Sequence, residues 1–175
     1  LFLKCLLVII FLSVLLFFFV RSKLAPAQQN DVCALFKANP SWYSAAKHAE
    51  RKWSIPVSVQ MAVMHQESHF RANAHPTSGL MSLFTGGSST AKGYAQALDN
   101  TWKSYLRHNH LTQADRSSFV SSTDFIGWYL HSLSHDLHLK KNDAYHLYLA
   151  YHEGESGYRK QRYQQKKWLQ NVAHN

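Results

Sequence analysis

Glu67 is the side chain of this sequence best suited to acid–base chemistry, because it comes near the end of a largely apolar run, residues 56–70. Apolar residues recur in this run at the spacing of one helix face, at Val59, Ala62, Val63 and Met64. We predict a helix with Pro56 in its first turn and Ser54 as its N-terminal cap. A carboxyl that emerges from such an apolar body loses hydration of its charged form, so its pKa rises and it can act as a general acid. The helix pattern alone also allows an exposed glutamate in the last turn.

Two histidines bracket Glu67 and raise the question of a metal centre. A zinc protease has the order His-Glu-x-x-His, whereas here His65 and His69 stand two residues to either side of Glu67. Two residues correspond to roughly 200° around a helix, so Glu67 points away from any metal ion that the two histidines would share. The zinc-protease interpretation therefore fails on geometry.

Other catalytic centres find no support in the residue pattern. His131, His135 and His138 share a predicted helix face with Asp136 nearby, but no cysteine or fourth ligand is placed to complete a metal site. The sequence has no Gly-x-Ser-x-Gly nucleophile motif, and residues 85–90 lack the Gly-Lys-Ser/Thr ending of a phosphate-binding loop. We predict no metal site and no cofactor.

Helices are the elements that must position Glu67. Alternation of the strand type is nearly absent, and the apolar periodicity predicts an all-α fold. The predicted helices cover residues 42–53, 56–70, a segment from about 99 to 110, 117–139 and 142–151. Gly154 and Gly157 are expected to end the last helix before a basic tail over residues 159–167. Residues 71–92 have a composition typical of a loop.

The first 27 residues differ in character from the rest of the chain. Residues 1–20 are apolar but for two positions and are long enough to cross roughly 30 Å of hydrocarbon as a helix. Ala25-Pro26-Ala27 has the small residues of a signal-peptidase site. Residues 1–27 are therefore expected to be either a signal peptide or a membrane anchor, and residues 28–175 to form one domain.

The chain is basic, with 19 Lys+Arg against 10 Asp+Glu and a net charge of +9. This charge favours a polyanionic partner, and peptidoglycan, anionic lipid and nucleic acid all qualify. A nucleic-acid partner is not expected, because the basic tail belongs to no recognised nucleic-acid-binding fold. Cys33 has no second cysteine in the domain, so we expect no disulfide and interpret Cys33 as a small buried residue.

Three short motifs follow one another in this predicted helical framework. They are Glu67-Ser68-His69-Phe70, Gly93-Tyr94-Ala95-Gln96-Ala97-Leu98-Asp99-Asn100-Thr101 and Ala150-Tyr151-His152-Glu153-Gly154. Together they resemble the signatures of the lysozyme-like soluble lytic transglycosylase (SLT) domain, over residues 42–158. Gly79-Leu80-Met81-Ser82 looks closer to the family's Gly-Leu-Met-Gln, but the later segment keeps both Gln96 and Thr101. That choice makes residues 75–92 an insertion.

The resemblance implies a lysozyme-like fold and a set of site residues. Glu67 would be catalytic and Tyr151 would orient it. Tyr94 and Gln96 would line the sugar groove, although a tyrosine such as Tyr94 could equally be a core residue. Four further aromatic residues could be sugar-stacking walls or core: Trp102, Tyr129, Tyr145 and Tyr148.

Three neighbours of these residues complete the set. Ser68 follows the catalytic position and His152 follows the tyrosine, so both are expected to support the site. His152 and Glu153 depart from the Asn and Ala that are usual in the family, which suggests a modified binding site. Glu153 is not expected to be a second catalytic carboxylate, because its position in the family pattern holds a small residue.

The activity implied by the resemblance is cleavage of the β-1,4 bond between N-acetylmuramic acid and N-acetylglucosamine without water. Glu67 would protonate the glycosidic oxygen and then, as a base, let the muramoyl 6-hydroxyl close a 1,6-anhydro ring. Two alternatives remain: a hydrolytic muramidase of the same fold, and a non-catalytic peptidoglycan-binding or secretion-system assembly module. The expected partners are peptidoglycan strands, a membrane through the N-terminal segment, and cell-wall or secretion-system proteins, on the periplasmic side of a bacterial envelope.

Overall fold

Helices form nearly all the regular structure of the chain. The computed structural model describes residues 10–13, 29–75 and 90–174. From residue 29 onward these ranges hold α1 (Val32–Ala38), α2 (Pro40–Trp53), α3 (Val57–Ser68), α4 (Asp99–His108), α5 (Phe119–Leu137), α6 (Ala144–Arg159), a 3₁₀-helix (Arg162–Gln165) and α7 (Lys167–His174). Extended pairing in the same ranges is limited to one isolated bridge between Lys92 and Ala97. The prediction of an all-α fold is confirmed.

The apolar N-terminal segment falls largely outside the described residues. Of the predicted signal or anchor over residues 1–27, residues 10–13 are described, as a helical turn with exposed side chains. Nowhere in the described ranges is a helix both long enough and apolar enough to span a bilayer. Most of the predicted 75–92 insertion, residues 76–89, likewise lies outside the described part of the chain.

The helix that carries Glu67 is not started by the predicted cap. Ser54 ends α2 in a left-handed conformation (φ 59°), and its N–H donates to the Glu50 carbonyl. Pro56 directly precedes α3, and the Glu50 side chain accepts a hydrogen bond from Val57 N at 3.1 Å. Glu50 serves both helix ends because the short turn brings the end of α2 against the start of α3.

α3 is buried on more than one face. Its buried positions are Val59, Gln60, Met61, Val63, Met64 and Ser68. Ala62, predicted to be in the core, is exposed. The difference arises because α3 contacts α2, α5 and α6, which cover most of its circumference. Gln60 is tolerated in this core because its amide donates to the Ile55 carbonyl at 2.7 Å.

α5 contacts α2, α3, α4 and α6 and so forms the centre of the fold. Its N-terminus is capped by Ser118, whose side chain accepts a hydrogen bond from Ser121 N. Gly127 permits a close approach of α2, since a Cβ at this position would lie 2.6 Å from Trp53 Cδ1. α5 is therefore the common support of α3 and α6, the two helices that bring the candidate site together.

Asp124 on α5 links three helices through its carboxylate. It accepts hydrogen bonds from Trp53 Nε1 at 2.8 Å and from the Tyr105 hydroxyl at 2.7 Å. Lys52 Nζ forms an ion pair with it at 3.0 Å. Burial raises the pKa of Tyr105, and the hydrogen bond to Asp124 raises it further. The donors come from α2 and α4, so this one side chain fixes both helices against α5.

α6 is interrupted at Gly154, where the sequence predicted its end. Gly154 is non-helical (φ 69°, ψ 167°), and a second helical segment continues after it to Arg159, with Gly157 inside that segment. Glycine adopts positive φ at little cost, so the chain kinks here and then resumes the helix. The predicted basic tail also has regular structure, in the 3₁₀-helix and in α7, where Leu169 is fully buried.

Cys33 is exposed, which corrects its interpretation as a buried residue. α1 is only seven residues long, and Leu35 is its buried position. A helix that short presents one narrow face to the core, and Cys33 lies off that face.

Candidate active site

Glu67 occupies the last turn of α3, and the chain turns sharply just after it. α3 ends at Ser68, and the next two residues, His69 (φ 51°) and Phe70 (φ 57°), take the left-handed conformation. The His69 N–H donates to the His65 carbonyl, which closes the helix. Phe70 is buried in the core. The helix end that carries Glu67 is therefore fixed both by a cap and by a core anchor.

The carboxyl group of Glu67 is enclosed by protein, although the residue as a whole keeps a partly exposed surface. Burial raises its pKa from the ordinary 4.5 to about 8, and a hydrogen-bond interaction with Tyr148 opposes part of the rise. No cation and no second carboxylate of the described ranges is among the groups that shift this pKa. A carboxyl in this condition is protonated at neutral pH, as a general acid requires.

The charge of this carboxyl affects two tyrosines of α6, Tyr148 and Tyr151. Burial raises the pKa of Tyr148 and of Tyr151, and the charge of Glu67 raises both further. The Tyr151 hydroxyl donates to the Ala95 carbonyl at 2.6 Å, so its proton is already engaged. The Tyr148 hydroxyl is the one that interacts with Glu67 by hydrogen bonding. The two tyrosines therefore differ in role: Tyr151 fixes α6 to residue 95, and Tyr148 contacts the carboxyl.

A cleft of about 240 Å³ adjoins these tyrosines. Its described lining comprises Gln96, Ala97, Leu98, Thr101, Phe125, Tyr129, Tyr151, His152, Glu153 and Gly154. Glu67 is not among the residues that line this cleft, but its charge raises the pKa of Tyr151, which does line it. Tyr129 packs edge-on against Tyr151, with 5.3 Å between ring centroids. Flat apolar rings and a few convergent polar groups are typical of a ligand site.

Gln96 brings its side chain to the cleft from a tight, well-fixed turn. Its Nε2 donates to the carbonyls of Ala74 at 2.8 Å and Gly93 at 2.9 Å. Gly93 has φ 79°, and a Cβ there would lie 2.0 Å from the Arg116 carbonyl oxygen, so this position requires glycine. Because both hydrogen bonds use Nε2, Oε1 is the atom of Gln96 that is left for a ligand.

Ser68 and Tyr94, predicted as supporting residues, do not line the described cleft. Ser68 is fully buried, and its hydroxyl donates to the Met64 carbonyl at 3.2 Å. Tyr94 is 7% exposed and packs edge-on against Trp42 and Phe119, each at 5.6 Å between ring centroids. Tyr94 is thus a core aromatic, because the turn that presents Gln96 to the cleft places Tyr94 inward.

The histidines weighed as metal ligands have separate partners. His131 Nδ1 lies 2.8 Å from the Trp53 carbonyl. His135 pairs with Asp136 at the surface, and His138 ends α5 in a left-handed conformation. Within the described ranges, no group of three or more His, Cys, Asp or Glu side chains is placed to hold a metal ion.

A family model described as the transglycosylase SLT domain matches residues 7–175 of the chain. The chain belongs to the transglycosylase SLT family. The resemblance carried by the three motifs is thereby confirmed, and the family's activity is the cleavage of glycosidic bonds in the peptidoglycan of bacterial cell walls. No curated protein and no solved structure matches the chain.

Within this SLT chain, the predicted site residues fall into two groups. Gln96, Tyr151 and His152 line one cleft, whereas Glu67 is not part of its lining and acts on Tyr151 through its charge. Ser68 and Tyr94 belong to the packing behind it.

The contact of Tyr148 with Glu67 is what the sequence reasoning missed in this SLT site. Tyr148 was considered only as a sugar-stacking or core residue. A usable signal is present in the sequence, because Tyr148 stands three residues before Tyr151 and so lies on the same face of α6. A tyrosine one turn before a residue expected near the glutamate is itself a candidate for the site.

Proposed function

We propose that this SLT chain is a lytic transglycosylase that cleaves the β-1,4 bond between N-acetylmuramic acid and N-acetylglucosamine, with residues 28–175 as the catalytic domain. The observation that carries the proposal is the state of Glu67: its carboxyl is enclosed, has a pKa of about 8 and has no ion-pair partner in the described ranges. This supports one group that acts first as acid and then as base. The proposed place of action is the periplasmic side of the envelope, where the family's substrate lies.

In the first step, protonated Glu67 donates its proton to the glycosidic oxygen, and the bond from that oxygen to C1 of the muramoyl sugar breaks. The N-acetylglucosamine unit leaves with a hydroxyl group, while positive charge develops at C1. Glu67 is now a carboxylate. Its hydrogen-bond interaction with Tyr148, which lowers the pKa of Glu67, stabilises this charged form.

In the second step, the Glu67 carboxylate removes the proton from the 6-hydroxyl of the same muramoyl sugar. O6 bonds to C1 as the proton leaves, which closes the 1,6-anhydro ring and returns Glu67 to its acid form. An intramolecular nucleophile has an entropic advantage over water. The route therefore needs no second carboxylate to activate a water molecule, and no metal or cofactor takes part.

The cleft residues supply binding rather than proton transfer in this proposal. Gln96 offers Oε1 as an acceptor for a sugar N–H or hydroxyl group. Tyr151 lines the cleft wall and holds α6 against residue 95, and His152 contributes an imidazole whose pKa is lowered by burial. Ser68 supports the end of α3 from inside.

Digestion of purified peptidoglycan, followed by mass analysis of the products, tests the proposal. The parent chain is expected to release 1,6-anhydro ends, and Glu67→Gln to release none, because an amide cannot supply the proton. Glu155→Gln is the matched control, since Glu155 is an exposed carboxylate of α6 that pairs with Arg159. It should leave the product yield unchanged.

The other outcomes each contradict one part of the proposal. Reducing ends in place of anhydro ends would make the chain a hydrolase that uses water. A folded parent that binds peptidoglycan without cleaving it would make the chain a binding or assembly module. Full turnover by Glu67→Gln would remove Glu67 from the role of acid.

A further inference from the structure

Glu153 is a buried carboxylate in the wall of the cleft. Its side chain is 3% exposed, and it lines the cleft beside His152. Oε1 accepts a hydrogen bond from Lys166 Nζ at 2.6 Å and lies 3.4 Å from His152 Nδ1. Oε2 has no hydrogen-bond partner among the residues that the structure describes. One oxygen of this carboxylate is therefore engaged, and the other, 3.3 Å from the position that a Cβ of Gly157 would take, keeps its capacity to accept a hydrogen bond.

The backbone around Glu153 leaves room for this side chain. Gly154 kinks α6 directly after it. One turn further along, a Cβ at Gly157 would lie only 3.0 Å from Glu153 Cβ. Because residue 157 is glycine, the space between the helix and the cleft is left to the Glu153 side chain. A longer side chain at residue 157 would collide with Glu153.

Glu153 does not belong to the acid–base machinery. Groups in contact with the Glu67 carboxyl, such as Tyr148, affect its pKa, whereas the charge of Glu153 is not among the causes of the shift. A carboxylate that shares the cleft without acting on the catalytic carboxyl is suited to binding. Lys166 holds the Glu153 side chain in place through an ion pair of 2.6 Å.

The C-terminal segment brings an aromatic face to the same place. Trp168 is 50% exposed, and its ring packs edge-on against His152 with 5.2 Å between centroids. The next residue, Leu169, is fully buried and fixes α7 to the fold. Trp168 is therefore an indole held beside the cleft residue His152 with half of its surface open, and such a face can cover the apolar side of a sugar ring.

We propose that Glu153, His152 and Trp168 form an additional sugar subsite, which extends the cleft onto the C-terminal segment. Its occupant is an N-acetylated sugar of the glycan strand, so this inference rests on the substrate class of the proposed function. Glu153 Oε2 accepts a hydrogen bond from a sugar hydroxyl or acetamido N–H, and the indole covers the apolar face of the ring. Lys166 positions Glu153 and does not contact the sugar.

Calorimetric binding of N-acetylglucosamine oligomers of increasing length, in a Glu67→Gln background that cannot turn over, tests the subsite. Glu153→Gln keeps the shape of the side chain and removes its charge, and Trp168→Ala removes the aromatic face. Each is expected to weaken the longer oligomers about tenfold, because a hydrogen bond to a charged group is lost or a buried contact is removed. The shortest oligomers, which do not reach the subsite, should bind unchanged.

Two control variants match these changes elsewhere on the surface. Glu155→Gln removes an exposed carboxylate of the same helix. Tyr43→Ala removes an aromatic ring that is also 50% exposed but lies on α2. Both should leave the affinity for every oligomer unchanged.

Unchanged binding of all oligomers by both test variants would overturn the subsite. If Glu153→Gln fails to fold, as its far-ultraviolet circular dichroism would reveal, Trp168→Ala alone decides, because its side chain is half exposed. Weakening confined to peptide-bearing glycan fragments, and reproduced by Lys166→Met, would make this a carboxylate-binding site for the peptide and would overturn the sugar assignment. A parent that never cleaves peptidoglycan but shows the expected binding pattern would refute the proposed chemistry and support the subsite.

Discussion

Two carboxylates of this fold lie beside tyrosine hydroxyls, and their surroundings are opposite in kind. Asp124 receives an indole N–H, a tyrosine hydroxyl and a lysine ammonium, from Trp53, Tyr105 and Lys52. Glu67 is enclosed by protein, interacts with a single hydroxyl and has no cation beside it in the described ranges. Asp124 thus has the hydrogen-bond donors and the cation that stabilise a charged carboxylate, whereas Glu67 has one donor and no cation in the described ranges.

The difference separates a structural role from a chemical one. Three donor groups, one of them the Lys52 ammonium, engage the Asp124 carboxylate as an acceptor that joins α2, α4 and α5. In the proposed reaction, desolvation makes Glu67 hold its proton until a substrate oxygen accepts it, and the Tyr148 hydroxyl supports the charge that then forms. In this molecule the number of donors around a carboxylate indicates which of the two roles it performs.

The largest effect on the rate of cleavage should come from replacing Glu67. Glu67→Gln is expected to lower peptidoglycan cleavage roughly a thousandfold or more, since the acid and the base are lost together. Asp124→Asn should leave the rate per folded molecule within about threefold of the parent. Release of anhydro products, measured per folded molecule, checks both. Comparable rate losses in the two variants would mean that the comparison does not distinguish chemistry from structure.

The same carboxyl should also make the folded state sensitive to pH. In the unfolded chain Glu67 loses its proton near pH 4.5, but in the folded chain only near pH 8. Between these values the folded state binds one more proton, so its stability falls as pH rises from about 4.5 to about 8, by on the order of 5 kcal/mol for the full shift. Urea unfolding of the parent and of Glu67→Gln across this range measures it. The difference between the two curves should grow with pH, and parallel curves would contradict the burial of Glu67.

Replacing Asp124 should change the stability of the fold and not the chemistry. Asp124→Ala leaves the buried donors of Trp53 and Tyr105 without an acceptor, so we expect unfolding to become easier by about 2–4 kcal/mol. Asp124→Asn keeps an acceptor oxygen and should cost less. The midpoint of urea unfolding reports both changes. A loss smaller than that of an exposed control, Asp136→Ala, would show that water replaces the missing acceptor.

Much of the fold was predictable from the sequence, because helix periodicity and helix ends are local properties. α3 and α5 lie close to their predicted ranges for this reason. The errors arose where a distant contact decides the local structure. Ser54 has the chemistry of a cap, yet the Val57 N–H is taken by Glu50 from the preceding helix. Gly154 does interrupt α6, but the helical segment that follows it to Arg159 was not expected.

The site was predictable to the extent that its residues stand in recognisable motifs. Gln96 and Tyr151 were found in this way, and both line the cleft. Tyr148 lies just outside its motif, and its role depends on how α6 is rotated against the end of α3, which the sequence does not specify. Tyr94 lies inside its motif and is nevertheless in the core, because the tight turn, in which Gln96 has φ 44°, directs Tyr94 against Trp42 and Phe119.

The smallest expected effect on cleavage comes from removing the Tyr148 hydroxyl, which interacts with Glu67 by hydrogen bonding. Cleavage should slow as pH rises through about 8, where Glu67 loses its proton. Tyr148→Phe removes an interaction that lowers this pKa, so the decline should move to higher pH, and the rate near neutrality should change by no more than about tenfold. Tyr105→Phe, the equivalent change beside Asp124, should lower stability and leave the decline where it is. The pH profile of product release measures both variants. A decline that moves to lower pH in Tyr148→Phe would mean that the Tyr148 hydroxyl does not stabilise the charged form of Glu67. An equal shift of the decline in Tyr105→Phe would mean the same.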